Sequence, residues 1–151
     1  MKMITFNQAN KNNGWLSIWS PHGIKFKNNL WPNCAHAWYG TRYKKPPNRN
    51  KIGALAINHY IKDSEEQNEN ILHILEEILL IKINTHKILK DYLLSTGTFE
   101  IVFSVSKYDT SERKWLGKTI ETNEGENMLG KLWMRIRESL TNKYDEYKLC
   151  K

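Results

Sequence analysis

The stretch from Gly125 to Arg137, Gly-Glu-Asn-Met-Leu-Gly-Lys-Leu-Trp-Met-Arg-Ile-Arg, constrains the fold more than any other part of the chain. Leu129, Leu132, Trp133, Ile136 and Leu140 recur at helical spacing and make one apolar stripe. The spacing therefore predicts a helix that packs on a core. Asn127 is a favourable N-cap, so the start of this helix is expected to offer backbone N–H groups and the positive end of the dipole. Such an end suits a phosphate or a sugar hydroxyl. A glycine-punctuated loop leading into a core helix accounts for the same residues, and the local pattern leaves both readings open.

The chain has 151 residues, which fits one domain over 1–151 with a working core. Hydrophobic residues at 40%, with six Trp and seven Tyr, exclude a disordered tail. Lys and Arg number 23 against 16 Asp and Glu, a formal charge of +7 that favours a polyanionic partner such as nucleic acid or a pyrophosphate-bearing nucleotide. Cys34 and Cys150 make no disulfide framework, and the five histidines give no metal-ligand spacing. No cofactor and no metal are expected. With no signal peptide and no apolar run of membrane length, a cytoplasmic protein without a membrane partner, and a monomer, is the plain reading.

Taken in order, residues 3–6 read as a strand and 15–19 as a second strand or an inner packing segment. Ile24–Phe26 and Leu30-Trp31 flank Lys27-Asn28-Asn29 as in a hairpin, and Pro32-Asn33 offers a helix start. In the helix that follows, Ala35, Trp38, Tyr39 and Arg42 share one face, with His36 on the adjoining one. Aromatic rings beside a guanidinium can sandwich a base or hold a diphosphate. Equally, Trp38 and Tyr39 can be core and His36 a hydrogen-bonded structural histidine. Lys44, Lys45 and Arg49 lie in a basic loop that suits a nucleic-acid backbone or simply solvent. A small helix is expected over 52–61, and a long one introduced by Ser64 and Gln67 as a capping box. Its apolar face holds Ile71, Ile74, Leu75, Ile78 and Leu79. Thr85 is expected to cap a further helix ending at Gly97. Phe99–Val105 is β-branched and aromatic and reads as a strand, followed by a polar loop over 107–117 that carries Asp109.

Three blocks in this order resemble the NADAR, or YbiA-like, family. The first runs from Leu16-Ser17 to Pro21 and on through Trp31-Pro32 to His36. The second is Leu93-Leu94-Ser95-Thr96-Gly97. The third is Asp109, Trp115 and Gly117, then Gly125, Asn127, Leu129, Gly130 and Lys131, with Met134 and Arg137. The resemblance spans about residues 15 to 140. It implies an α+β, mostly helical single domain with a few short strands and no metal. It also implies N-glycosidase activity on ADP-ribose-type N-glycosides. Some members remove ADP-ribose from guanine in DNA, reversing a DarT-type toxin as an antitoxin or a viral counter-defence, and others cleave riboflavin-pathway intermediates.

By that resemblance, position 35 is where the family has its catalytic Glu, Arg42 where it has a Lys, and Asp109 its loop Asp. Trp19, Trp38, Tyr39 and Trp115 become stacking candidates, and His36, Gly117, Asn127, Leu129 and Gly130 complete the substrate-binding set. Arg42 and the start of the Asn127 helix would hold the diphosphate, and Lys44, Lys45 and Arg49 the DNA backbone. Two departures matter. Ala35 can neither donate a proton nor stabilise cationic charge, and Arg42 stays protonated and is a poor nucleophile. Cleavage of a ribosyl N-glycoside passes through an oxocarbenium-like state that a carboxylate stabilises. Ala35 thus reads either as a Glu→Ala change in an enzyme or as the mark of a binder without catalysis.

Overall fold

The first and last strands of the chain pair in parallel, which ties its two ends into one frame. The computed structural model describes residues 2–41 and 69–149, and the chain divides into two compact units, Met1–Ser17 with Lys87–Lys151 and Ile18–His86.

In the first unit, β1 (Met3–Phe6) runs parallel to β4 (Glu100–Phe103), with Met3 opposite Glu100 and Phe6 opposite Phe103. The Phe6 and Phe103 rings stack with centroids 5.3 Å apart. Helix α5 (Met128–Leu149) packs on β4 and buries Leu129, Leu132, Trp133 and Ile136 of the stripe expected from the spacing, while Leu140, its last member, is half-buried. Trp133 is wholly buried, and its indole N–H donates to the Leu16 carbonyl at 2.9 Å, so the ring enters the core without an orphan donor. Helix α3 (Lys87–Ser95) buries Leu89 and Leu93 and contacts α5. It ends where Thr96 and Gly97 donate to the carbonyls of Leu93 and Leu94 at 3.2 and 3.1 Å, with Gly97 at φ 59°.

The loop expected over 107–117 contains a helix, α4 (Ser111–Leu116). Thr110 caps it by accepting the Arg113 N–H at 3.3 Å, and Leu116 is its buried anchor. One and a half turns carry too few apolar residues to show a period. Residues 15–19 form no strand. A single turn of 3₁₀ helix over Gly14–Leu16 leads into a packing segment in which Leu16, Ser17 and Ile18 are buried.

In the second unit, β2 (Ile24–Phe26) and β3 (Asn29–Trp31) form the expected hairpin, Ile24 opposite Trp31. Its two turn residues, Lys27 and Asn28, take φ values of 50° and 65°, the mirror-image turn that matches strand twist. Helix α1 (Cys34–Thr41) and helix α2 (Glu69–Thr85) pack on each other and on β2. On α2, Ile71, Leu75, Ile78, Leu79 and Ile83 are buried. Thr85 is the last residue of α2 and does not cap α3, because His86 donates back to the Lys82 carbonyl and extends that turn. The Ser64–Gln67 capping box and the helix expected over 52–61 lie outside the described residues.

Candidate functional site

Helix α1 carries the densest part of the expected site. Asn33 starts it: its Oδ1 accepts the His36 N–H at 2.8 Å, satisfying an orphan donor of the first turn. The same oxygen lies 2.8 Å from His36 Nδ1, which places a hydrogen on that nitrogen. His36 is half-buried and meets the half-buried Trp19 edge-on, with centroids 5.7 Å apart. Tyr39 completes the group, 6.2 Å from Trp19 and 5.1 Å from Trp38. Ala35 lies beside them, fully buried, and its N–H donates to the Ile18 carbonyl at 2.8 Å. Trp38 is also wholly buried, with its indole N–H on the Ile71 carbonyl at 2.9 Å, and so presents no ring face to solvent. Within this aromatic group, Trp19 and His36 are the half-buried members.

Asp109, Trp115, Gly117, Asn127, Leu129 and Gly130 belong to the other unit. Both carboxylate oxygens of Asp109 have partners: Oδ2 accepts the Ser106 N–H at 2.7 Å, and Oδ1 meets Arg113 Nε at 2.9 Å. The Arg113 guanidinium in turn lies over the Phe103 ring, 5.1 Å from its centroid. Trp115 is half-buried on α4. Gly117 lies against the Phe103 carbonyl, where a Cβ would collide. The Asn127 N–H donates to the Gly117 carbonyl at 2.9 Å and draws the third block together.

Asn127 corrects the expectation of a side-chain cap. Its Oδ1 accepts the Phe103 N–H at 3.0 Å and its Nδ2 donates to the Ile101 carbonyl at 2.9 Å. The side chain is turned onto β4, with φ at 51°, while its carbonyl accepts the first helical bond from Lys131. Two buried backbone groups of the strand would otherwise lack partners, and an amide supplies one donor and one acceptor. Gly130 serves the same contact, since a Cβ there would meet the Ile101 carbonyl and the Asn127 amide. Leu129 is core. Arg42, Lys44, Lys45 and Arg49 lie outside the described residues.

One group escaped the reading of the sequence. Lys82, wholly buried on α2, donates to Ser20 Oγ at 2.6 Å. Burial holds its amine down at about 8, with the Cys34 thiol opposing, and pushes that thiol up to about 11. The available signal was positional: Lys82 falls on the same helical stripe as Leu75, Ile78 and Leu79. Among the described residues, no cluster of three or more His, Cys, Asp or Glu side chains is arranged to hold a metal ion, and no helix is long and apolar enough to cross a membrane.

Among solved structures, the chain is similar to the NMR structure of the E. coli protein YbiA. The TM-score is 0.76 at 21% identity, over 96% of this chain and 88% of that one. No family model matches the sequence, and no curated protein matches it. The fold is YbiA-like, α+β and mostly helical with short strands, as the three blocks implied.

Proposed function

We propose that the chain binds ADP-ribose-type nucleotides at the Trp19–His36 edge of α1 and belongs to an N-glycosidase lineage whose leading substrate is ADP-ribosylated guanine in DNA. The observation that carries this reading is the aromatic edge beside position 35, in a chain with a YbiA-like fold. A base or ribose can stack on a half-exposed indole, beside an imidazole that is itself half-buried. The charge of +7 favours the diphosphate and a DNA backbone.

Catalysis needs more than this edge. Departure of the base leaves positive charge on the ribose, and a carboxylate at position 35 would stabilise it or activate water. A buried methyl group does neither. Loss of such a carboxylate lowers the rate by orders of magnitude while leaving diphosphate binding nearly intact. Ala35 therefore favours a second reading for the chain as it stands, a nucleotide-binding module without turnover. A riboflavin-pathway N-glycosidase is a third.

The test incubates an ADP-ribosylated oligonucleotide, and separately a free N-glycoside, with this chain and with Ala35→Glu, checking helicity of both proteins. Release of ADP-ribose from DNA by the Ala35→Glu form alone supports the hydrolase. Binding without release in either form supports the module, and cleavage of the free N-glycoside alone supports the metabolite enzyme. Neither binding nor release in a folded Ala35→Glu protein ends the proposal.

A further inference from the structure

Lys82 occupies a stripe of α2 otherwise filled by Leu75, Ile78, Leu79 and Ile83. A buried ammonium is costly unless it is hydrogen-bonded, and its Nζ donates to Ser20 Oγ at 2.6 Å. Ser20, itself buried, lies 2.8 Å from His22 Nδ1. The directions of these bonds follow from valence. An ammonium has no lone pair, so Ser20 Oγ accepts from Lys82 and turns its own hydrogen to His22 Nδ1. That nitrogen accepts while the ring is neutral. Burial, then the charge of Lys82, then the His86 ring all lower the affinity of His22 for a proton. His22 is half-buried and so has an edge at the surface. His86, edge-on to it with centroids 5.0 Å apart, spends its Nε2–H on the Gly23 carbonyl at 2.7 Å and stands beside the chain of bonds. From α1, Cys34 is the titratable group coupled to the amine.

We propose that Lys82, Ser20 and His22 form a proton relay through which a buried amine exchanges its proton with solvent. A proton moves from Lys82 Nζ to Ser20 Oγ as the Ser20 hydroxyl hydrogen moves to His22 Nδ1. The imidazolium then releases its Nε2 proton to water. The amine is left neutral and the ring uncharged in its other tautomer, and the reverse sequence restores the ammonium. Such a relay equips the second unit with an acid–base group in the same unit as position 35, where alanine offers none. It does not depend on the nucleotide reading.

The test is the hydrogen-exchange rate of the Lys82 ammonium at neutral pH, followed by ¹⁵N-edited NMR on the full chain, with the signal assigned by its loss in Lys82→Met. Exchange is expected to slow by roughly 10²-fold in His22→Leu and in Ser20→Ala. Ser20→Thr, which keeps a hydroxyl, and His86→Gln, which spares the relay, should exchange at the native rate. His22→Leu, at a half-buried position, keeps the test open even if Ser20→Ala does not fold. Unchanged or faster exchange in His22→Leu, or slow exchange in Ser20→Thr, overturns the relay.

Discussion

Asn127 supplies β4 with what a neighbouring strand would supply, one acceptor for Phe103 N–H and one donor for the Ile101 carbonyl. Its amide therefore behaves as a detached peptide group. Asn127→Ala leaves both strand groups buried and unpaired, and is predicted to cost about 2–4 kcal/mol. The denaturant midpoint should fall with the slope unchanged, whereas a loss within about 0.5 kcal/mol would mean that water replaces the amide. Gly130→Ala should destabilise as well, because the added methyl meets the same carbonyl and the same amide. The sequence pointed to Asn127 but to the wrong partner. Local rules see an asparagine at a helix start, and its true partners lie 24 and 26 residues away.

Helix α2 shows how an element can be legible in pattern and still conceal its chemistry. Its apolar period was readable, yet that period gives no hint that one stripe position holds an ammonium. Burial lowers the Lys82 pKa from 10.5 to about 8, so at neutral pH the unfolded chain holds this proton more readily than the folded one. Stability from this group is thus least below pH 8 and rises from there towards 10.5. Cys34 works in the other direction: its thiol is raised from 9.0 to about 11, and its contribution is lost as pH climbs through that window. Lys82→Met is accordingly predicted to unfold at higher denaturant than the native chain at pH 7, with the gap narrowing as pH rises past 8. A Lys82→Met protein that is less stable at both ends of that range would mean that the Ser20 bond outweighs the desolvation. The hairpin was legible because Lys27-Asn28 obeys a rule confined to two residues. Helix α4 was not, because six residues held by Thr110 and Leu116 carry no period.

For the whole molecule, the order of three motif blocks conveyed the fold despite 21% identity to YbiA. Two glycines of these blocks, Gly117 and Gly130, lie against β4 where a side chain would collide, so the blocks mark backbone contacts. The chemistry was less legible, because alanine at position 35 is not a residue type that announces acid–base work. Charge belongs to this scale too. With +7 overall, the proposed binding to ADP-ribosylated DNA is predicted to weaken steeply with salt. Replacing Lys44, Lys45 and Arg49 together by alanine is predicted to lower the slope of log K against log salt by about 2–3 and to spare affinity for free ADP-ribose. An unchanged slope would contradict the proposed DNA contact at these three residues. Hydrolase and binding module alike require that the edge of α1 take a nucleotide, so the decisive measurement is an ADP-ribose titration of the chain followed at its indole and imidazole resonances. Trp19 and His36 should shift together and saturate below about 1 mM, while the Trp38 indole, held on the Ile71 carbonyl, moves little. No shift at Trp19 and His36 at that concentration, or shifts confined to other residues, would contradict it.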